Sequence, residues 1–501
     1  MGWKASLIRP YARWMEKRIR AWAEQPVEGQ QKIFNQLIRK GQSTSFGKVH
    51  NLSEISNYRE FTQAVPLGDY EQMRPWVDRI CAGEKDVLWP GKPAYFAKTS
   101  GTTSGTKLIP ISNDSLPYHV GSARNAVFCY VAETGNAAAF DGRMIFLSGS
   151  PKLEKCYGIP TGRLSGIVNH HIPSYVKKNQ LPSWEVNCIE DWETKLEAIL
   201  KETKGQDLRL IGGIPSWVQM YFDRLLETSG KANVKEVFPN LQLYVYGGVN
   251  YAPYRTRFEA ALGADVDTIE TYPASEGFIA FQDRQDQEGL LLQSHAGIFF
   301  EFVELSRLME ANPPRIPLSE VQLDVNYAIV LNTNAGLWGY LIGDTVRFVS
   351  LSPYRIVVTG RTKHFISAFG EHVISEEVDG AIEQALLRHG GQVVEFHVAP
   401  CVSPKEGGLP YHEWWVEFEQ EPAHLEAFCA EIDQALCTRN SYYKDLIEGK
   451  ILRPMVLRKV AQGGFQRYMK SIGKLGGQNK VPRLSDNRVL ADALEKELSS
   501  K

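Results

Sequence analysis

The chain has 501 residues, 43% hydrophobic and 11% aromatic, enough for a large core and for two or more domains. Its 56 basic and 58 acidic residues leave a net charge of -2, which excludes a global attraction to nucleic acid or to an anionic membrane; any polyanion must be held by a local site. Seven cysteines, at 81, 129, 156, 188, 401, 429 and 437, form no CxxC pair and have no His at ligand spacing, so they read as reduced thiols of a cytoplasmic protein. No apolar run reaches the roughly 18 to 20 residues of a membrane span, and no signal-peptide core opens the chain, so no integral membrane association is expected. The opening MGWKAS fits the bare N-myristoylation pattern without a second membrane signal.

In chain order, Trp3 to Gln25 sets Trp3, Leu7, Ile8, Tyr11, Trp14 and Trp22 among Lys4, Arg9, Arg13, Lys17, Arg18 and Arg20. At a 3.6-residue period this is a basic amphipathic helix, expected to dock its aromatic face on the body of the protein, with a membrane surface or a partner as the other use. AKTSGTTSGTKLIPIS (97 to 112) follows, a Ser/Thr/Gly centre flanked by apolar residues. LRLIGGIPSWVQMYFDRLLE (208 to 227) reads as a strand, a turn and a helix, and LQLYVYGG (241 to 248) as a buried strand ending in a double Gly. The alternation predicts an α/β fold, a mixed sheet covered by helices. After Thr345 the texture changes to short strands, and a linker is expected near 360. Beyond it ISEEVDGAIEQALLRHG and AHLEAFCAEIDQALCTR read as helices and QVVEFHVAP and YHEWWVEFE as strands, a smaller α+β domain. The division expected is 1–360 and 361–501.

The stretch at 97 to 112 is not a Walker A loop. That motif needs G-x-x-x-x-G-K-[ST] entering a helix. Here three residues separate Gly101 from Gly105, Leu108 follows Lys107, and LIPIS suits a strand. A loop between two strands is expected. Small residues let backbone N–H groups approach a phosphate, hydroxyls donate, and Lys107 adds positive charge; a plain surface hairpin has the same composition.

TSGTTSGTK resembles the phosphate loop of the adenylate-forming superfamily, and three further stretches follow in that superfamily's order: TYPASEG (271 to 277), GLWGYLIGDTVRF (336 to 348) and GRTKHFISAFGEHVISEEVDGAI (360 to 382). Within it, GLWGYLIGD and the C-terminal GGQNKVPR are similar to segments of the Gretchen Hagen family of acyl acid amido synthetases, which has plant members and bacterial relatives of the type this chain resembles. The resemblance implies a large N-terminal domain and a mobile C-terminal lid. It also implies a two-step reaction: a carboxylic acid attacks the α-phosphorus of ATP to give an acyl-adenylate and pyrophosphate, then an amino acid's amine displaces AMP.

By that resemblance Ser100, Gly101, Thr102, Thr103 and Lys107 cradle the β- and γ-phosphates, Ser275 meets the α-phosphate, and Glu276 holds Mg²⁺, a hard cation that prefers oxygen ligands. Tyr272 stacks on adenine, Gly247 and Gly248 let the backbone pass its face, and Asp344 and Arg361 reach the ribose. Lys363 is the hinge for a lid motion. Lys480 is the catalytic lysine of adenylation. Taken singly, Glu276 also reads as a surface carboxylate, Tyr272 as a core residue, the double glycine as a turn and Lys480 as a solvated side chain.

Two departures stand out: Pro273 in TYPASE where relatives have Gly, and Gly339 where the plant pattern has Arg. The acid pocket is expected between Ile214–Met220, with Trp217 as a wall, and the residues after Glu276, such as Phe278. Its apolar walls suggest an aryl or alkyl acid. His170 and His171 read as surface residues. An acyl-CoA ligase and a non-catalytic binding module are the alternative readings. A monomer using ATP, Mg²⁺, a carboxylic acid and an amino acid is the expectation.

Overall fold

The computed structural model describes residues 3–100, 106–248, 251, 255–362, 365–366, 371, 373–402, 404–405, 408–449, 451–475 and 479–499. Two compact units emerge, one of residues 1–221, 235–248 and 266–357, the other of 222–234, 249–265 and 358–501. The second unit is therefore not a simple C-terminal segment. Two stretches from the middle of the chain belong to it, and the helix Arg255–Leu262 packs on the strand Gln392–Cys401.

The architecture is the mixed α/β one that the alternating pattern predicts. A sheet whose strands belong to the first unit, apart from the last residues of Tyr354–Arg361, runs from one edge through Arg315–Pro317, Ile298–Glu304, Asn326–Thr333, Tyr340–Leu351, Tyr354–Arg361, Leu290–Leu292, Phe278–Phe281, Asp267–Pro273, Leu243–Gly247, Leu208–Gly212, Arg143–Phe146 and Gln180–Leu181. The strands from Asp267–Pro273 to the last edge are mutually parallel. Their apolar, inward residues pair with no hairpin to join them, so helices supply the crossovers. The segment 208–229 shows this: Leu208–Gly212 is a strand and Pro215–Ser229 a helix. The parallel strands end at one edge, where open α/β sheets bind ligands.

A second sheet holds Tyr95–Ser100 paired antiparallel with Thr106–Ile111 in the register Ser100↔Thr106 and Thr99↔Lys107. The Ser/Thr/Gly stretch thus joins two strands, which rules out the strand-to-helix geometry of Walker A. The strand Ile159–Gly162 runs parallel to Tyr95–Ser100 on its other side, Phe96 facing Thr161 and Ala97 facing Gly162.

The N-terminal helix, Trp3–Ala23, docks on Leu116–Thr134 mainly through small and aliphatic residues, with Tyr11 meeting Phe128 edge-on at 5.1 Å between ring centres. Ala12, Met15, Ile19 and Ala23 form the buried stripe, packed near Ala126 and Cys129, whereas Tyr11 and Trp14 stay 44% and 49% exposed. Small and aliphatic residues at i, i+3 and i+4 spacing let two helices approach closely; the bulkier rings are displaced to the flank. Arg20 of this helix reaches the buried Asp283 at 2.7 Å, and Asp283 is also held by Arg355. Trp22 stacks on His295 with centroids 4.0 Å apart.

In the second unit the strands Gln392–Cys401, Tyr411–Gln420 and Val456–Val460 form a sheet with the helices Ser375–His389 and Leu425–Arg439 packed in one core. All seven cysteines are thiols. Among the described residues no helix is long and apolar enough to cross a membrane.

Candidate active site

Strand Asp267–Pro273 turns back into Phe278–Phe281 through a tight hairpin. Ala274 and Gly277 exchange both backbone hydrogen bonds, Ala274 N–H to Gly277 at 3.0 Å and Gly277 N–H to Ala274 at 3.2 Å. That leaves Ser275 and Glu276 at the two central positions of the turn, at the end of the parallel strands. Pro273, the last strand residue, pairs with Phe278. A proline at a strand end forgoes one N–H without breaking a central ladder, so the substitution is accommodated here.

Glu276 lies among charges. The Tyr340 hydroxyl donates to its Oε1 at 3.3 Å. Burial raises the Glu276 carboxyl above its ordinary range and Asp344 adds to the rise, while the residue's own N–H, Lys107 and Tyr340 oppose it. Burial, then Glu276 itself, lifts the Tyr340 phenol far above its usual range. Asp344, buried, accepts a hydrogen bond from the Tyr272 hydroxyl at 2.7 Å. Its placement follows from an irregular register. Ala328 pairs with Thr345 but Val330 with Leu341, so Tyr340–Leu351 carries two more residues than its partner across that interval, and the bulge re-aims Asp344.

Lys107 stands at the base of the hairpin. Its ammonium lies 5.6 Å from the centre of the Tyr70 ring, and the next N–H, of Leu108, donates to the Tyr70 hydroxyl at 2.8 Å. Gly247 pairs with Thr271, and a Cβ there would sit 2.3 Å from the Thr271 carbonyl oxygen. The close approach that requires glycine is therefore to the neighbouring strand. Gly248 adopts φ +85°.

The other residues singled out by sequence are distributed as follows. Gly101, Thr102, Thr103 and Lys363 lie outside the described residues, and of Ser100 only the backbone pairing with Thr106 is described. Trp217 is 2% exposed and packs on Trp192 at 4.9 Å. Phe278 is 4% exposed, in the core beneath the N-terminal helix. Arg361 ends the strand Tyr354–Arg361 and, with the exposed Lys480, belongs to the second unit. His171 Nε2 meets the Tyr95 hydroxyl at 3.0 Å and His170 Nε2 the Pro151 carbonyl at 2.8 Å.

Two residues that sequence reasoning passed over are Tyr340 and Tyr70. Tyr340 lies inside GLWGYLIGD and carried that signal. Tyr70 had none, because it precedes the strand it supports by a whole helix. Tyr340 is itself held from behind. Gly68 and Tyr340 form a parallel bridge, Gly339 N–H donates to Asn332 Oδ1 at 2.7 Å, and Asn332 Nδ2 donates to Glu301 Oε2 at 2.7 Å. Gly339 has φ +54°, and a Cβ would lie 2.3 Å from the Pro66 carbonyl oxygen, which explains why no arginine stands here.

Three family models match the chain in order: the GH3 family N-terminal domain over residues 15–201, the central domain over 291–361 and the C-terminal domain over 376–489. The chain belongs to the GH3 family. One similar relative is a jasmonoyl-L-amino acid synthetase, JAR6, of Nicotiana attenuata, 21% identical over 91% of this chain and 90% of the relative. Among solved structures, a GH3.15 acyl acid amido synthetase in complex with 2,4-DB superposes with a TM-score of 0.78 at 16% identity, covering 96% of this chain and 95% of the other. A 2-hydroxyisobutyryl-CoA ligase bound to its adenylate superposes with a TM-score of 0.60 at 13% identity over 95% and 93%. This GH3 chain therefore shares the fold of adenylate-forming enzymes.

Proposed function

We propose that this GH3 chain is an ATP-dependent ligase that activates an aryl or alkyl carboxylic acid as its acyl-adenylate and passes the acyl group to the amine of an amino acid. The observation that carries the reading is the convergence of Glu276, Tyr340, Asp344, Tyr272 and Lys107 beside a Ser/Thr/Gly hairpin at the C-terminal ends of parallel strands.

A carboxylate is a weak nucleophile and ATP is heavily anionic, so the site must align the attack and neutralise charge. Lys107, with Ser100, Gly101, Thr102 and Thr103, binds the terminal phosphates, and Ser275 orients the α-phosphate. Asp344 accepts hydrogen bonds from the ribose hydroxyls and Arg361 donates to a ribose oxygen, and the Tyr272 hydroxyl, which donates to Asp344, fixes the carboxylate for that task. Tyr272 and the edge at Gly247 and Gly248 flank adenine.

The carboxyl oxygens of Glu276 fit Mg²⁺. The group sits in an excess of negative charge shared with Asp344, and among the described residues no third His, Cys, Asp or Glu joins them, which suits a cation completed by phosphate oxygens. When bound, the ion supplies positive charge to the phosphate chain. Lys480 stabilises charge growing on the α-phosphate as the acid's oxygen bonds to phosphorus and pyrophosphate leaves. In the second step the amine attacks the carbonyl carbon, loses a proton, and AMP departs. Trp217 and Phe278 back the acid pocket, and Lys363 is the hinge. We place the enzyme in the cytoplasm as a monomer.

The test is carboxylic-acid-dependent exchange of labelled pyrophosphate into ATP. The proposal requires exchange with at least one aryl or alkyl acid, lost in Asp344→Ala; absence of exchange across the panel would favour the non-catalytic binding module.

A further inference from the structure

Arg163 follows the strand Ile159–Gly162, next to the strand that leads into the Ser/Thr/Gly hairpin. Its stem packs over Gly149, where a Cβ would fall 2.7 Å from Arg163 Cδ, 3.6 Å from its Nε and 3.7 Å from Ser165 Oγ. Gly149 lies just past the strand Arg143–Phe146, and Leu147 N–H still bonds the Gly212 carbonyl at 2.8 Å, so this is the ligand edge of the parallel strands. The Arg163 side chain is half-buried, yet its guanidinium makes no hydrogen bond, ion pair or ring contact among the described residues. Burial pushes it below its ordinary range. Glu154, opposite Thr161 in the adjoining strand, is committed to Lys98.

A second cation stands beside it. Lys195 is buried, and its three N–H donors are matched by three oxygens, Ser148 O, Asn187 O and Asn187 Oδ1, each at 2.8 Å. None of these is a carboxylate. Burial brings its ammonium down to about 8, with Arg163 acting in the same direction. Lys195 thus pins the loop at Ser148, while Arg163 keeps its planar donors open. A half-buried guanidinium with an uncompensated cation next to it is unfavourable unless an anion completes the site.

We infer that Arg163 is a substrate-binding residue whose guanidinium holds a carboxylate of one of the two acids in the reaction, the acyl acid or the amino acid. The fork of N–H donors matches a carboxylate bidentately. The phosphates have the hairpin and Lys107. Lys195 is a positioning residue that holds the loop under Arg163. The inference rests on the amido synthetase reading only for the names of the two acids.

The experiment compares the wild-type chain with Arg163→Met and Arg163→Lys. Thermal shifts are recorded with a panel of aryl and alkyl acids and of amino acids, each beside its primary carboxamide. The wild type is expected to be stabilised by a carboxylate and not by its amide, and Arg163→Met to lose that discrimination. In kinetics, KM for the bound acid is expected to rise about 10- to 100-fold in Arg163→Met, as loss of a charge-assisted hydrogen bond does. Arg163→Lys should recover part of it.

A raised KM for the acid in pyrophosphate exchange assigns the acyl acid; unchanged exchange with a raised KM for the acceptor assigns the amino acid. Equal stabilisation by acid and amide in the wild type, or unchanged KM values in Arg163→Met, would overturn the inference, as would pyrophosphate as the anion lost with Arg163. Should no acid support exchange in the wild type, the function proposed above fails, while the thermal comparison still decides the role of Arg163.

Discussion

Replacing Glu301 by Gln should unravel the support behind Tyr340. Glu301 and Arg315 are both buried, joined at 3.2 Å between Nε and Oε1. Oε1 also accepts the Tyr58 hydroxyl at 2.9 Å, Oε2 accepts Asn332 Nδ2 at 2.7 Å, and the guanidinium lies 5.4 Å from the Phe61 ring centre. In Gln one oxygen becomes an NH₂ group. It must then face either Asn332 or Tyr58 and Arg315, donor against donor, and the arginine keeps a buried charge with no counter-ion.

Breaking one side of a buried pair costs about 3–5 kcal/mol. Removing both partners in Glu301→Gln/Arg315→Met leaves no orphan charge, so the double variant should lose at least about 1–2 kcal/mol less than the sum of the singles, within the range seen for residues in one network. Denaturant unfolding of the four proteins measures this. Because Asn332 also holds Gly339 beside Tyr340, exchange activity should fall in the single variant. A loss below about 1 kcal/mol in Glu301→Gln, or strictly additive singles, would refute the reasoning.

Other outcomes follow from the same geometry. Tyr340→Phe removes the hydrogen bond to Glu276 and should weaken Mg²⁺-ATP binding in calorimetry several-fold while leaving the unfolding midpoint nearly unchanged. Gly247→Ala forces a methyl against the Thr271 carbonyl and should destabilise the fold by about 1–3 kcal/mol, seen as a lower denaturant midpoint at unchanged slope. Burial raises Glu270 from its ordinary 4.5 to about 7, so the native state binds that proton more tightly than the unfolded chain does. Its contribution to stability is present below about 4.5 and is lost as pH rises toward 7; in Glu270→Gln this component of the pH profile between those values should vanish. Lys480→Ala should depress acid-dependent exchange by about two to three orders of magnitude, as loss of a transition-state charge partner does, yet still allow amide formation from supplied acyl-adenylate.

Much of the fold was legible because period and composition carry it. Strands such as Gln392–Cys401 and Tyr411–Gln420 and helices such as Leu425–Arg439 follow directly from apolar spacing. Long-range geometry was not. Nothing local in 249–265 announces that it folds with the second unit, and the stripe of Ala12, Met15, Ile19 and Ala23 was masked by more conspicuous aromatic residues on the same helix. In the candidate site the motif residues could be named, but their couplings could not. The Tyr272–Asp344 bond depends on a two-residue excess in one strand, and the Tyr340–Glu276 contact on a hairpin turn in another. A lone arginine after a short strand has no sequence signature, so Arg163 is marked only by its lack of a partner among the described residues.

The measurement that tests the central claim most directly is the mass of the acyl product formed by the purified chain from ATP, Mg²⁺ and each acid of an aryl and alkyl panel, with no acceptor, mixed amino acids or coenzyme A. The account predicts AMP together with a new amide in the amino-acid reaction. AMP accompanied by a thioester only when coenzyme A is present, or no product with any acid, would contradict it.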